Sequence, residues 1–151
     1  MHNPVAPTRP AVDDRRMPVR IRSITFDCAD ARALATFWSA ITGWNVYYDD
    51  DPEVVLAPSF PNPGTGMLFI PVPEGKTAKN RIHLDLSPET GTRDQLVETA
   101  VAAGATVIGD HRNDDGSGWV TLTDLEGNEF CVERGVEEHG TPAPRTFKVL
   151  V

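Results

Sequence analysis

The first regular pattern of apolar and polar residues begins at Arg20 and alternates residue by residue. A period of two is typical of a strand that buries one face and exposes the other. A helix is predicted next, because Asp30 suits an N-cap, apolar residues recur at three- and four-residue spacing, and Gly43 suits a helix end. The apolar stripe of this helix consists of Leu34, Phe37, Trp38 and Ile41.

Three short runs of strand-forming residues follow this helix, at 44–48, 53–57 and 67–72. The last two runs are separated by a segment rich in Pro, Asn and Gly, which favours turns. Residues 20–72 are therefore predicted to form one βαβββ module.

The same order of elements is predicted a second time after a polar connector. Residues 81–86 alternate with the parity of the first strand, Thr92 and Gln95 have the spacing of a capping box, and Gly104 suits the second helix end. Runs of strand-forming residues follow at 106–109, 118–123 and 129–134. The pattern predicts an α+β fold made of two βαβββ modules, arising from an internal duplication of the chain.

The ends of the chain lack this pattern. Prolines interrupt the first residues, Met17 is an alternative start, and a last alternating segment near the C-terminus is interpreted as an edge strand or an arm that reaches across a dimer. The predicted organisation is a disordered tail (1–19), a single domain (20–134) with a first module (20–72), a linker (73–80) and a second module (81–134), and a C-terminal extension (135–151).

Each predicted helix covers one face of its sheet, so the other faces are expected to line a cleft between the two halves. The parity of the strands assigns the following residues to these open faces: Ser23, Thr25, Asp27, Met67, Phe69, Arg81, His83, Asp85, Trp119, Thr121, Cys131 and Glu133.

Charge and composition narrow the function. The chain has 22 acidic and 14 basic residues, which makes nucleic acid an improbable partner. It has no apolar run of membrane-spanning length and no secretion signal, so a protein of the cytoplasm without a membrane partner is expected. The two cysteines are far apart in sequence and are expected to be free thiols.

Several motifs together resemble the glyoxalase-like and bleomycin-resistance-like branch of the vicinal-oxygen-chelate superfamily. They are the run from Ser23 to Asp30, the pair Phe37-Trp38, the segment Thr42-Gly43-Trp44, the strand Arg81 to Leu86, and the ending Asp124 to Val132. This resemblance implies the glyoxalase/bleomycin resistance/dioxygenase fold, a curved mixed sheet around a cleft, and a homodimer.

The resemblance also places the four metal-ligand positions of that superfamily at Ser23, Phe69, His83 and Cys131, with Thr25 as an alternative to Ser23. Only the imidazole of His83 is a standard ligand, so no metal or other cofactor is expected. If a divalent metal is recruited, His83 and Cys131 are its expected ligands, with Asp85 or Glu133 as a third.

Two functions remain open at this point. The first is a binding module that sequesters a small organic ligand, and the acidic chain favours a cationic one. The second is a lyase or isomerase in which His83 acts as a base beside Asp85. The expected ligand-binding residues are Ser23, Phe69, Arg81, His83, Trp119, Cys131 and Glu133. The segment 109–118 is interpreted either as a mobile lid or as a long hairpin turn.

Overall fold

A computed structural model describes residues 19–139 of the protein. The predictions for the N-terminal tail and for the last alternating segment concern residues outside this range. None of the described helices is long and apolar enough to cross a membrane.

The described elements follow the predicted order, and the α+β fold of two βαβββ modules is confirmed. They are β1 (Ser23–Cys28), α1 (Ala31–Thr42), β2 (Asn45–Tyr47), β3 (Val54–Ala57), β4 (Gly66–Pro71), β5 (Leu84–Leu86), α2 (Arg93–Ala102), β6 (Thr106–Asp110), β7 (Trp119–Thr123), β8 (Glu129–Glu133) and a 3-10 turn (Val136–Glu138).

The two modules share one topology. Their sheets have the strand orders β1-β4-β3-β2 and β5-β8-β7-β6. In each sheet the first strand pairs in parallel with the last, and the other neighbours are antiparallel. The second half therefore repeats the first not only in the order of elements but also in the direction of every strand.

Strand β5 is shorter than predicted, because it begins at Leu84 and not at residue 81. The carboxylate of Glu129 accepts the backbone N–H of Asn80 at 3.0 Å and lies 3.3 Å from the ammonium group of Lys76. These contacts hold the connector through a side chain and not through a strand ladder. His83 consequently lies just before β5.

Helix α1 has the ends that its sequence predicts. The carboxylate of Asp30 accepts the backbone N–H of Ala33 at 2.9 Å, and Gly43 ends the helix with a φ of 70°. A second carboxylate comes from the other module, since Glu126 Oε1 accepts the backbone N–H of Ala29 at 2.6 Å and that of Asp30 at 3.2 Å. A carboxylate at a helix N-terminus accepts hydrogen bonds from N–H groups that have no partner within the helix. Its negative charge also interacts favourably with the positive end of the helix dipole.

Helix α2 has the predicted capping box of Thr92 and Gln95. It too receives carboxylates from a distant segment, because Glu137 accepts the N–H of Gly91 at 3.0 Å and Glu138 accepts that of Arg93 at 2.6 Å. The beginning of the C-terminal extension therefore acts as a cap for the second helix.

An aromatic cluster around α1 joins the two modules. The ring of Trp38 lies 5.5 Å from that of Phe26 in the first sheet and 5.1 Å from that of Phe130 in the second, and its indole N–H donates to Asp124 at 3.2 Å. Both sheets thus turn their helix-side faces towards one shared core. Their opposite faces point away from this core.

The prediction that Phe69 lines a cleft is wrong, whereas Met67, although only 5% exposed, is among the residues that line a cavity of the first sheet. Strand β4 pairs in parallel with β1 so that Phe69 lies beside Phe26, on the helix side, where its ring stacks at 5.2 Å and is 0% exposed. The open face of β4 belongs instead to Leu68, the neighbour of Thr25. Every residue from Met67 to Ile70 is apolar, so this strand has no alternation from which its parity could be inferred.

Candidate functional site

The open face of the second sheet brings together most of the predicted site residues. Asp85 lies beside Cys131 and Cys131 beside Thr121, while Trp119 is the cross-strand neighbour of Glu133. These side chains border a cavity of about 360 Å³, which we call the second-sheet cavity. Its lining consists of Lys79, His83, Asp85, Trp119, Thr121, Glu129, Cys131 and Glu133.

Sequence reasoning missed two of these residues. Glu129 has the same parity as Cys131 in β8, so the alternation of that strand was a usable signal. Lys79 lies in the connector, where the sequence has no periodicity that could place it. The other predicted residues lie elsewhere: Ser23 lies at a cavity of the first sheet, Phe69 lies in the core, and Arg81 is exposed and not part of this lining.

The side chains of His83 and Asp85 are in contact in this cavity. The distance from His83 Nε2 to Asp85 Oδ1 is 3.3 Å, and the two side chains are 46% and 56% exposed. Asp85 therefore lies against the imidazole. Water screens the attraction within such an exposed pair. Breaking the contact so that either side chain can bind a ligand therefore costs little free energy.

The thiol of Cys131 lies at the buried end of the same cluster. Its Sγ is 3.5 Å from Thr121 Oγ1. Burial raises the pKa of the Cys131 thiol, the hydrogen bond with Thr121 lowers it in part, and the charge of Asp85 raises it further. A thiol that resists ionisation is a poor nucleophile at neutral pH. Both cysteines are free and buried, as the sequence predicts.

His83, Asp85 and Cys131 also form a set of donors that can hold a metal ion. Their ligand atoms all lie within 4.8 Å of one another. Imidazole, carboxylate and thiolate are ordinary ligands of divalent transition metals, and three such donors fit a site that keeps one position open. The raised pKa of the Cys131 thiol works against this set, because the thiol must lose its proton to bind.

Trp119 forms an aromatic wall of the second-sheet cavity. Its ring is stacked on that of His111 with the centroids 4.9 Å apart, and its side chain is 43% exposed. A tryptophan that remains this accessible beside charged groups is unusual for a residue that only fills a core. His111 could not be identified from the sequence, because it lies in the hairpin segment after the end of β6.

The segment between β6 and β7 is a hairpin turn fastened to α2. Nη1 of Arg93 lies 3.1 Å from the carbonyl oxygens of Gly116 and Gly118, which accept its hydrogen bonds, and Arg93 is only 5% exposed. Gly118 has a φ of 92°, and a side chain there would collide with the carbonyl oxygen of His111. Of the two alternatives left open by the sequence, these contacts favour the hairpin turn over the lid.

The charges around the second-sheet cavity are mostly negative. Burial raises the pKa of the Glu129 carboxyl, but hydrogen bonds from the backbone of Asn80 and from Lys76 outweigh it and lower that pKa overall. Lys76 is thereby occupied by an ion pair. The remaining carboxylates in the lining of the cavity are those of Asp85 and Glu133. Among the residues described, Lys79 is the one lysine or arginine in this lining.

The open face of the first sheet lines a cavity of its own, of about 590 Å³. The first cavity is bordered by residues of the first module only, and the second by residues of the second module together with Lys79 of the linker. We expected the two open faces to share one cleft. They do not meet here, because both sheets pack their other faces against the same aromatic cluster around Trp38.

Comparison of the sequence with known families gives a match to a family described as "Glyoxalase-like domain", over residues 23–133. The match includes both modules and ends with β8. A search of curated proteins found no sequence relative.

Solved structures share the fold at low sequence identity. A glyoxalase/bleomycin resistance protein/dioxygenase family enzyme from Burkholderia phytofirmans is 19% identical with a TM-score of 0.60, covering 78% of this chain and 99% of that one. A variant of the fosfomycin resistance protein FosX from Listeria monocytogenes, complexed with Mn(II) and a dihydroxypropylphosphonic acid, is 13% identical with a TM-score of 0.59, covering 82% and 94%. A hypothetical protein from S. aureus is 18% identical with a TM-score of 0.60, covering 79% and 95%.

Proposed function

Since this chain belongs to the family of glyoxalase-like domains, we propose that it binds a small organic cation on the open face of its second sheet. One observation carries this proposal: the accessible indole of Trp119 and the carboxylates of Asp85 and Glu133 border the same cavity. An aromatic face and a carboxylate are the two groups that attract an organic cation most strongly.

The size and the net charge support the same ligand class. A cavity of about 360 Å³ lies within the range of sites that hold small molecules. The chain carries a net charge of -8, so its long-range field attracts cations towards the site. Burial and the charge of Asp85 raise the pKa of the Cys131 thiol, which works against a thiolate nucleophile in this cavity. Sequestration of the ligand is the function we favour.

The test is binding of an amphipathic aromatic cation, such as ethidium, measured by calorimetry against a neutral ligand of similar size. Replacing Trp119 by Leu should weaken binding of the cation about 3- to 30-fold, the range of a cation–π contact. The matched control is Tyr48→Leu, which removes an exposed aromatic ring from the first module. Equal affinity for the neutral ligand, or unchanged binding by Trp119→Leu, contradicts the proposal.

The compact cluster of His83, Asp85 and Cys131 favours a second candidate, a lyase or isomerase. In this version Nδ1 of His83 takes a proton from the substrate, while the carboxylate of Asp85, 3.3 Å from Nε2, accepts a hydrogen bond from that nitrogen and stabilises the imidazolium that forms. A divalent metal held by the three residues supplies Lewis acidity when bound. Elemental analysis of the purified protein distinguishes the candidates, because stoichiometric metal removed by His83→Ala favours the enzyme.

A homodimer is the oligomeric state we propose, and the cytoplasm the location. The open faces of the two sheets point away from their shared core, so a second copy can lie against either of them. Light scattering should give twice the mass of one chain, and a monomer at micromolar concentration contradicts the dimer.

A further inference from the structure

The open face of the first sheet has a cavity of its own, and the charged residues in its lining are two arginines and one glutamate. We propose that the cavity of about 590 Å³ on the open face of this sheet binds an amphipathic organic anion, with an aromatic body and one carboxylate or sulfonate group. We call it the first-sheet cavity. This inference does not depend on the function proposed for the second sheet.

The floor of the first-sheet cavity is an apolar row across the strands. Leu68 of β4 is the neighbour of Val55 in β3, and both line this cavity. Val55 is in turn the neighbour of Tyr47 in β2, which lines an adjoining cavity. These residues share the open face because paired residues of adjacent strands point to the same side. A row of this kind offers a flat apolar surface to a planar ring.

Two aromatic rings extend this surface at one rim. Phe60 lies 5.4 Å from Tyr47, centroid to centroid, and is 68% exposed. A large apolar side chain this exposed gains contacts and loses water when a planar ligand covers it. The loop that carries Phe60 folds back over the sheet, where the amide of Asn62 lies in the space above Gly66.

Two arginines, Arg20 and Arg22, are among the residues that line the same cavity. Nη1 of Arg20 donates to the carbonyl oxygen of Pro63 at 3.3 Å, which ties this side chain to the loop of Phe60. Glu53 is the one acid in the lining among the residues described. The cavity therefore has a local excess of positive charge in a chain whose net charge is -8.

The arrangement fits a small anion better than a polyanion. Two arginines at one end of an apolar surface match a single carboxylate or sulfonate, because a guanidinium binds such a group through paired N–H donors. A nucleic acid needs a series of cations along its backbone, and the acidic surface around this cavity repels it. The separation of an apolar floor from a cationic rim predicts a ligand with the same separation.

Fluorescence titration of the full chain with anilinonaphthalene sulfonate tests this site, with naphthoate as a competitor. Arg22→Gln and Phe60→Ser should each raise the dissociation constant at least about 5-fold. The first removes a positive charge that attracts the sulfonate, and the second removes an aromatic ring that contacts the naphthalene. Arg134→Gln is the matched control, since it removes the same charge from the second module. Both replaced side chains are exposed, and circular dichroism establishes that the variants remain folded.

Three results would overturn the inference. They are unchanged affinity in both variants, equal loss of affinity in the Arg134→Gln control, and competition by naphthalene methanol as strong as that by naphthoate. Titration of Arg22→Gln with ethidium separates the two sites, because this variant should bind the cation as the original protein does. Trp119→Leu should weaken cation binding and leave anion binding intact. Failure of the original protein to bind ethidium would contradict only the function proposed for the second sheet.

Discussion

The two modules have one topology but two chemistries on their open faces. In the first sheet the central row across the strands is Thr25, Leu68, Val55 and Tyr47; in the second sheet the corresponding row is Asp85, Cys131, Thr121 and Gly109. The face towards the helices must stay apolar in both modules to form the core. The open face has no such requirement, so a duplicated backbone can diverge there without loss of the fold.

The helices differ in a related way. Helix α1 buries large side chains, including Leu34, Phe37 and Trp38, whereas the buried residues of α2 are Ala100 and Arg93. The first module thus supplies the aromatic centre of the core. In the second module a buried arginine shapes the hairpin beside the candidate site.

The largest expected effect comes from the core of the first module. Trp38→Ala should lower the free energy of unfolding by about 3–5 kcal/mol, because it leaves a cavity between the two sheets. Leu96→Ala, at the partly buried stripe of α2, should cost less than about 2 kcal/mol. Urea denaturation measures both values. Similar losses would show that the two helices contribute equally.

The next effect concerns the hairpin of the second module. Arg93→Met removes hydrogen bonds to the carbonyl oxygens of Gly116 and Gly118, and it should cost about 2–3 kcal/mol. Hydrogen exchange should accelerate in residues 112–118 and stay unchanged in the first sheet. Uniform acceleration across the chain would mean that Arg93 supports the whole fold and not the hairpin.

A third prediction uses pH to distinguish the modules. Burial raises the pKa of the Cys28 thiol to about 11 from 9.0, with a further contribution from the charge of Glu126. As the pH rises, the thiol ionises first in the unfolded chain, which favours unfolding. The contribution of the protonated thiol to the stability of the folded protein is therefore complete below pH 9 and is lost as the pH rises towards 11. Relative to Cys28→Ala, the protein should lose about 1 kcal/mol between pH 9 and pH 10. Parallel pH profiles of the two proteins contradict this linkage.

The smallest expected effect lies on the exposed surface of the hairpin. Hydrogen bonds from the side chain and the backbone of Arg112 lower the pKa of the Asp110 carboxyl to about 2. The stabilisation is present above the ordinary pKa of a carboxyl and is lost as the pH falls towards 2. Arg112→Gln should shift the urea midpoint at pH 6 by no more than about 0.3 M, and the difference should vanish near pH 2. A difference that persists at pH 2 contradicts this cause.

Most local structure could be predicted from the sequence. Both helices begin at the caps that their sequences encode, α1 also ends at the predicted Gly43, and the order of the strands was correct. Helix α2 has Ala103 and not Gly104 as its C-cap. The candidate cluster in the second sheet could also be predicted from the sequence, because apolar and polar residues alternate clearly in β8 and in the residues before β5. Phe69 was misplaced for the opposite reason, since a strand that is apolar on both faces has no parity to read.

The sequence by itself determined the duplicated βαβββ order, both caps of α1 and the capping box at the start of α2. Only the tertiary structure decided which face of β4 is open, how Arg93 holds the hairpin beside Trp119, and how Trp38 joins both sheets. Caps and alternation act within a few residues, so one segment encodes them. Registers between strands and packing between modules depend on residues far apart along the chain, and their outcome belongs to the assembled core.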